Sequence, residues 1–301
     1  MPFWNRRSPE DQQQLLQQQQ EAEASRRSLE AGGLPVQAQR RLTEENHRLF
    51  TSDLSTDEFL LTRDAGYEPI SQVMGSSIYQ VGWQYTYNYT ATPAASEQRV
   101  ISDAHQHATA LALGRLEQEA KLLKADGVIG VRLNTRGYEW GNNLLEYTAI
   151  GTAIRLPNGP QTDHRPFLSD LSGQEFWTLL QAGYYPVGIV TGFCAYYISL
   201  GSVMTQQMRG WYNMGGFNTG GYGSYNQEIV PFSQGIYTSR HIAMSRLTGM
   251  AQNLGASGVV GMHISCDREV KDYAQDRGEY APKLYYMDLA VQFSAIGTAI
   301  T

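Results

Sequence analysis

The sequence has few of the residues that common active sites and metal sites need. Only two cysteines, Cys194 and Cys266, and six histidines occur among the 301 residues, and the cysteines form no CxxC pattern. They give no sign of a disulfide framework, and they suit a reducing compartment. No nucleophile elbow, Walker loop or HExxH pattern is present either. The sequence therefore predicts no enzymatic activity and no cofactor.

Positive charge is also scarce, because 23 Lys and Arg face 29 Asp and Glu and leave a formal net charge of −6. Phosphate backbones bind clustered Lys and Arg, so no nucleic-acid partner is expected. No apolar run follows residues 1–7, which argues against a secretion signal and favours the cytoplasm. The uncharged residues 181–208 hold Pro186 and four glycines, so a buried strand is predicted there and an integral membrane protein is not.

What the sequence does contain begins with a glutamine-rich leader at residues 1–50. Residues 12–20 are almost pure glutamine, and Gly32, Gly33 and Pro35 separate them from a second polar stretch. Such residues favour helix but offer little apolar surface to bury. The leader is therefore predicted to be helical or disordered, to lie outside the core and to cost little stability when deleted. It is also a candidate site for a protein partner.

The remainder of the chain carries an internal repeat. After an insertion at 204–226 the spacing between the copies rises from 117 to 131, and the sequence Ala-x-Gly-Val-(Ile/Val)-Gly begins at Ala125 and again at Ala256. Identities at fixed spacings predict a tandem duplication. The pairs at the first spacing are Asp53/Asp170, Leu54/Leu171, Ser55/Ser172, Glu58/Glu175, Phe59/Phe176, Gly66/Gly183, Tyr67/Tyr184, Val73/Val190, Gly75/Gly192 and Tyr79/Tyr196.

Each copy alternates the patterns of strand and helix. An apolar stripe of helical period runs from Ile101 to Leu123, and the second copy repeats it from Phe232 to Leu254. A buried strand follows each helix, and a further strand ends each copy in Gly-Thr-Ala-Ile. The predicted fold is α+β, with strand, helix, strand and strand in each copy. The predicted boundaries are 1–50 for the leader, 51–157 for the first module, 158–169 for a linker and 170–301 for the second module.

These motifs resemble those of the YbjQ family, whose members are also called heavy-metal-binding domains. Residues 123–131 and 151–154 carry the first match, and residues 254–262 and 297–300 carry the second. The resemblance implies two tandem dodecin-like β-α-β-β modules, each with one helix on an antiparallel sheet. It also implies self-association, since the family assembles as rings, typically pentameric, of single domains.

The family label invites a metal site, but the histidines and cysteines do not converge in the predicted modules. His105 and His107 lie about 200° apart around a helix, too far to chelate one ion. His263 and Cys266 point to opposite faces of a predicted strand. Neither they nor His241 is repeated in the other copy. His263, Cys266 and His241 are therefore weak candidates, and only for a site formed between modules or chains.

Contacts between modules are expected from polar and aromatic residues that both copies share or that the insertion adds. One arginine occupies the same place in both helices and could pair with an acidic residue on a neighbouring module. The insertion is rich in glycine and tyrosine, and aromatic rings suit a contact surface. The predicted interface residues are Arg115, Arg246, Tyr79, Tyr196, Trp211, Phe217 and Tyr222.

The sequence thus predicts a non-enzymatic, cytoplasmic assembly or scaffold module that forms homo-oligomers. The alternative, from a different class, is a protein that binds a metal ion or a small ligand between its modules.

We expect the protein, purified without added ions, to hold no stoichiometric zinc, copper or iron. The reason is that its histidines and cysteines are neither paired nor repeated. Elemental analysis of the purified chain measures the metal content. About one equivalent per chain, lost in a Cys266→Ser or His263→Ala variant, would contradict this prediction.

Overall fold

The computed structural model confirms a mixed α+β fold. It describes residues 9–45, 50–81, 89–137, 144–157, 165–214, 228–278 and 283–301. Within these residues the chain forms seven helices and two four-stranded sheets. None of the helices so described is long and apolar enough to cross a membrane.

Helices and strands are interspersed along the described residues, and both kinds of element differ widely in length. The helices are α1 (Pro9–Glu30), α2 (Val36–Glu45), α3 (Thr56–Asp64), α4 (Arg99–Leu122), α5 (Gly173–Gln181), α6 (Gly201–Met214) and α7 (Val230–Asn253). The strands are β1 (Glu68–Gln80), β2 (Ala94–Glu97), β3 (Gly127–Gly137), β4 (Leu144–Arg155), β5 (Phe167–Leu168), β6 (Pro186–Ser199), β7 (Gly258–Gln275) and β8 (Leu284–Ile300).

The chain divides into two compact units, each built from separated stretches of sequence. The first unit comprises Met1–Ile78, Ala108–Arg136 and Glu146–Gly188. The second comprises Tyr79–His107, Gly137–Leu145 and Ile189–Thr301. Part of the first sequence copy therefore belongs to the second unit, and the start of the second copy belongs to the first unit.

The sheet of the first unit has the strand order β1-β4-β3-β5. Alternate residues of β1, namely Ser71, Val73, Gly75 and Ser77, face inward, as a strand with one covered face requires. Helix α4 covers that face, and at Gly75 it lies so near that a Cβ would overlap the backbone of Ala112 and Leu116. Strand β5 is parallel to β3 and pairs Phe167 with Gly127.

The sheet of the second unit has the order β2-β6-β8-β7. The long strands β7 and β8 are antiparallel, with a bulge between Val260 and His263. Helix α7 approaches β6 at Gly192, where a Cβ would overlap the carbonyl of Ala243. The order β6-β8-β7 has the same sequence relation as β1-β4-β3 in the first unit. A duplicated module would produce this shared order.

A short helix precedes the first long strand of each copy, where the sequence pattern predicted a strand as the first element. Helix α3 begins with a capping box, in which Ser55 Oγ accepts from the Glu58 N–H (3.3 Å) and Glu58 Oε2 accepts from the Ser55 N–H (2.7 Å). Ser172 and Glu175 repeat this arrangement at α5. The Ser-x-x-Glu sequence is a known sign of a helix start, so this signal was available in the sequence.

The leader forms helices α1 and α2, and the prediction that it lies outside the core is wrong. Leu34 and Leu42 are only 4% and 1% exposed. Arg41 of α2 also forms an ion pair with Glu119 of α4 (2.9 Å). The reason is one of position: the leader has few apolar residues, but these two fall at the turn between its helices and on α2, where they become buried. Helix-favouring composition alone does not indicate this docking.

The insertion at 204–226 begins within a helix, because α6 extends to Met214. The first two residues of the insertion are packed in the core: Met204 contacts the apolar cluster around Leu200 and Phe232, and Thr205 is buried. The glycine-rich remainder, which includes Phe217 and Tyr222, lies outside the described residues.

We expect Gly75→Ala to lower the free energy of unfolding by about 3 kcal/mol, because the added methyl group would push α4 away from β1. Gly192→Ala should have a similar effect at α7 and β6. Gly114→Ala is the matched control, since Gly114 lies on α4 with no atom within 4 Å of an added Cβ. It should be neutral or stabilise by up to about 1 kcal/mol. Urea unfolding measures all three, and equal midpoints for Gly75→Ala and Gly114→Ala would contradict the packing described.

Candidate assembly site

Arg115 of α4 binds backbone carbonyl groups in its own unit. Its guanidinium donates to the carbonyl oxygens of Ser76 (2.5 Å), Gly33 (3.2 Å) and Leu29 (3.3 Å). Desolvation by partial burial lowers the pKa of Arg115 from its ordinary value. Arg115, one of the predicted interface residues, thus ties α4 to β1, to the end of α1 and to the turn that follows α1.

Glu119 lies one helical turn after Arg115 and also binds the backbone of β1. Its side chain is 3% exposed, and Oε2 accepts from the Met74 N–H (2.8 Å) and from Arg41 (2.9 Å). Strand β1 lies at the end of its sheet, where backbone groups lack a neighbouring strand among the described residues. Arg115 and Glu119 therefore bind one C=O and one N–H of this edge, which satisfies them without another strand.

Arg246 of α7 occupies the corresponding place in the second unit. It donates to the carbonyl oxygen of Phe193 (2.7 Å), which lies 117 positions after Ser76. Its Nη1 atom is also 2.6 Å from Glu97 Oε1, an ion pair within the same unit. Met250 stands where Glu119 would be, and here the edge of β6 pairs with β2, from Ala94↔Ser199 onward.

The predicted aromatic interface residues have different surroundings. Tyr79 is half-buried near the end of β1. Tyr196 is half-buried on β6 against the apolar clusters below α7, and burial raises the pKa of its hydroxyl. The backbone of Trp211 belongs to α6, but its side chain, like Phe217 and Tyr222, lies outside what the structure describes.

The candidate metal ligands lie apart from one another. His263 is exposed on β7 and Cys266 is half-buried three residues further on. His241 is exposed on α7. Among the described residues, no three His, Cys, Asp or Glu side chains come close enough to hold a metal ion.

Cys194 and His105, two potentially reactive side chains of the second unit, are deeply buried. Cys194 is fully buried, and desolvation raises the pKa of its thiol to about 12. His105 is 4% exposed and stacks on Phe193, with ring centroids 3.8 Å apart, and burial lowers its pKa to about 4. His107, two residues further along α4, is exposed.

A buried carboxylate on β8 is a feature that the sequence analysis missed. Asp288 is fully buried, and its Oδ2 accepts from the hydroxyls of Tyr197 (2.5 Å) and Tyr273 (2.6 Å). Burial, followed by the hydrogen bond and the charge of Asp288, raises the pKa of both tyrosines. Tyr89 packs edge-on against Tyr273 and Tyr286. An acidic residue inside the apolar run of β8 was the available signal, because such a residue needs hydrogen-bond donors when buried.

Strand β7 is the last strand of its sheet within the described residues, with β8 as its neighbour. Its second half carries charged residues at 267–269 and 271–272, which discourage pairing at an edge. Its first half, residues 258–264, carries no Asp, Glu, Lys or Arg. Ile264 in this half is 51% exposed. Uncharged, partly exposed edge residues of this kind favour pairing with another chain.

Comparisons with known proteins place the chain in a family. Residues 88–157 match the model of the YbjQ family described as "Putative heavy-metal-binding", which confirms the resemblance for one copy but not for the tandem pair. The chain is 37% identical over 278 residues to encapsulin nanocompartment protein Rv1762c of Mycobacterium tuberculosis (strain ATCC 25618 / H37Rv). The alignment covers 91% of this chain and 97% of that protein. No solved structure matches. The chain belongs to the family of this nanocompartment protein.

We expect burial of His105 to make the fold less stable in acid. In the unfolded chain the imidazole binds a proton near its ordinary pKa of about 6.5, whereas the folded chain binds it only near pH 4. The contribution of His105 is therefore present above about pH 6.5 and is lost as the pH falls to about 4. The loss amounts to about 3 kcal/mol at most.

Urea unfolding between about pH 7 and about pH 4 measures this dependence. His105→Phe, which keeps an aromatic ring against Phe193, should remove that part of the pH dependence. His107→Phe, on the exposed side of the same helix, is the control and should behave like the wild type. Equal pH dependence in the wild type and His105→Phe would contradict the assignment.

Proposed function

We propose that this chain is a non-enzymatic, self-assembling structural component that acts in the cytoplasm as part of a nanocompartment. The observation that carries the proposal is the relative named an encapsulin nanocompartment protein, which matches nearly end to end. Because the alignment covers both chains almost completely, the similarity extends over both compact units and not over one motif alone. A common structural role is the simplest consequence.

The described surface supports self-assembly. The first half of β7 offers a strand edge without charged residues and without a neighbouring strand in the described part of the chain, next to Ile264 at 51% exposure. Leu254, at the end of α7 just before this strand, is 37% exposed. Apolar side chains beside a free strand edge make a protein interface, because backbone hydrogen bonds and apolar burial then act together.

The state of the potential nucleophiles supports a role without catalysis. A thiol must ionise to attack, and a pKa near 12 keeps Cys194 protonated at neutral pH. The pKa values of Tyr197 and Tyr273 are raised as well, so their hydroxyls remain hydrogen-bond donors to Asp288. This cluster acts as a structural tie between β6, β7 and β8.

We further propose that the two sequence copies, near 51–157 and 170–301, form two dodecin-like modules, whose strands are β1-β4-β3 in the first copy and β6-β8-β7 in the second. The shared strand order and the matched close approaches at Gly75 and Gly192 support duplication. The ring geometry of single-domain relatives is the expected model for the assembly. Because one chain would supply two modules, a ring needs fewer chains than modules.

A second candidate function is metal binding, which the description of the matching family model favours. Under this alternative the ligands come from more than one chain. Exposed His263 on the β7 edge is the residue best placed to contribute to such a shared site.

We expect the purified full-length chain to have a native mass several times 33.6 kDa at micromolar concentration. Size-exclusion chromatography with multi-angle light scattering measures this mass, and a dilution series shows whether the assembly dissociates. A monodisperse particle of the single-chain mass would contradict the proposed function.

A further inference from the structure

One contact inside the chain shows how a strand edge of this fold is closed. In the first unit, residues 167–171 run along the outer edge of β3 just before α5. The backbone bonds are Phe167 N–H to Asp126 O (3.1 Å), Ser169 N–H to Val128 O (2.8 Å), Gly130 N–H to Leu171 O (2.8 Å) and Val131 N–H to Ser169 O (3.0 Å).

Both partners in this contact have a counterpart elsewhere in the sequence. At a spacing of 117, residues 50–59 repeat Phe167, Ser169, Asp170, Leu171, Ser172 and Phe176 as Phe50, Ser52, Asp53, Leu54, Ser55 and Phe59. At a spacing of 131, the edge residues 127–131 correspond to residues 258–262 at the start of β7. We call residues 167–171 the donor segment and the edge of β3 at residues 127–131 the acceptor edge, whichever groups donate the hydrogen bonds. Residues 50–59 are then a second donor segment in the same chain, and residues 258–262 are a second acceptor edge.

Burial differs sharply between the closed contact and its counterparts. Leu123, at the end of α4, is 2% exposed, whereas its counterpart Leu254 is 37% exposed. Ile129 and Val131 are buried, but Val260 and Met262 are only half-buried. On the donor side, Phe176 is fully buried, while Phe59 is half-buried and Phe50 is 53% exposed. Leu254, Val260, Met262 and Phe59 are thus each more exposed than their counterparts in the first contact.

The backbone of the second acceptor already has the shape of the first. Gly261 has a φ of +64°, and its counterpart Gly130, which donates to Leu171, has a φ of +63°. A Cβ at Gly127 would overlap the ring of Phe167, so the glycine makes room for that ring. At Gly258 an added Cβ would have only Ile300 Cγ1 within 4 Å, at 3.8 Å. No aromatic ring of the described residues therefore lies against Gly258 as Phe167 lies against Gly127.

The second donor segment is held in place from its other side. Thr152 Oγ1 accepts from the Asp53 N–H (3.1 Å) and lies 3.3 Å from Ser52 Oγ. The Phe50 ring stacks on Phe59 with centroids 5.4 Å apart. An ordered segment loses little conformational freedom when it binds, which favours docking.

We propose that residues 50–59 of one chain dock on the β7 edge, residues 258–262, of a second copy of this chain. The inference rests on the proposed self-assembly and names its interface. Phe50 would lie beside Gly258, as Phe167 lies beside Gly127. The expected backbone bonds are Phe50 N–H to Ser257 O, Ser52 N–H to Val259 O, Gly261 N–H to Leu54 O and Met262 N–H to Ser52 O.

This interface joins two different surfaces, so every chain offers one donor and one acceptor. Chains then add head to tail, and the assembly closes into a ring or a larger shell when the rotation between neighbours permits. The same pairing of a donor segment with a strand edge would thus occur within each chain and between chains.

Two variants test the interface from its two sides. Gly258→Val fills the space beside the β7 edge, where an added Cβ would meet only Ile300 Cγ1, at 3.8 Å. Phe50→Asp replaces the exposed ring of the docking segment with a charged side chain. Each should raise the dissociation constant of the assembly by at least about tenfold. Gly249→Ala and Tyr237→Asp are controls, since Gly249 has open space around it and Tyr237 is 71% exposed on α7. Circular dichroism verifies that each variant is folded, and light scattering measures its mass.

A mixture of the two variants gives the decisive result. Gly258→Val retains an intact donor and Phe50→Asp retains an intact acceptor, so equal amounts should form a dimer of one chain each and grow no further. A wild-type assembly together with unchanged assembly of both variants would overturn this interface while leaving the proposed function in place. A monomeric wild type would overturn both. Should Gly258→Val fail to fold, unchanged assembly of Phe50→Asp would suffice to overturn the interface.

Discussion

Unpaired backbone at the edges of β-sheets is the constraint on which the rest of this structure depends. An edge strand has N–H and C=O groups that must find partners in the protein or in water, and an uncovered edge invites pairing with other chains. In the first unit, Arg115 and Glu119 bind the edge of β1, and residues 167–171 pair with the edge of β3. In the second unit, β2 covers the edge of β6. The edge of β7, the other long outer strand of the described residues, is the one that we assign to a second chain.

The same constraint explains the place of the leader. Glu119 is nearly buried and bears a negative charge, so it needs a cation, and Arg41 of α2 provides one. Arg115 in turn binds the carbonyl groups of Leu29, in the last turn of α1, and of Gly33, in the turn that follows it. The leader therefore holds in place the two side chains, Arg115 and Glu119, that bind the edge of β1. In the second unit Met250 stands at the corresponding position, and a paired strand closes the edge there instead.

Sequence reasoning reached the α+β fold from local patterns of helix and strand, and it reached the paired positions from identities at fixed spacings. Glycines at 75 and 192 recur because the helix backbone lies where a side chain would be, and the serines at 55 and 172 recur because each caps a helix. The role of Arg115 could not be read in this way, since its partners are carbonyl groups contributed by distant residues. Burial of Leu42 and of Asp288 depends likewise on tertiary contacts that have no periodic pattern. The prediction that the leader lies outside the core was wrong for the same reason, because composition does not show that Leu34 and Leu42 become buried.

Amide hydrogen exchange tests the central claim, the use of the β7 edge as the contact between chains, most directly. Exchange is compared between the assembled protein and the same protein diluted until it dissociates. We expect the amides of Gly261, Met262, Phe50 and Ser52 to be protected in the assembly and to exchange freely after dissociation. Gly130 and Val131, whose partners lie within the chain, should be protected in both states. Equal exchange of Gly261 and Met262 before and after dissociation would contradict the account.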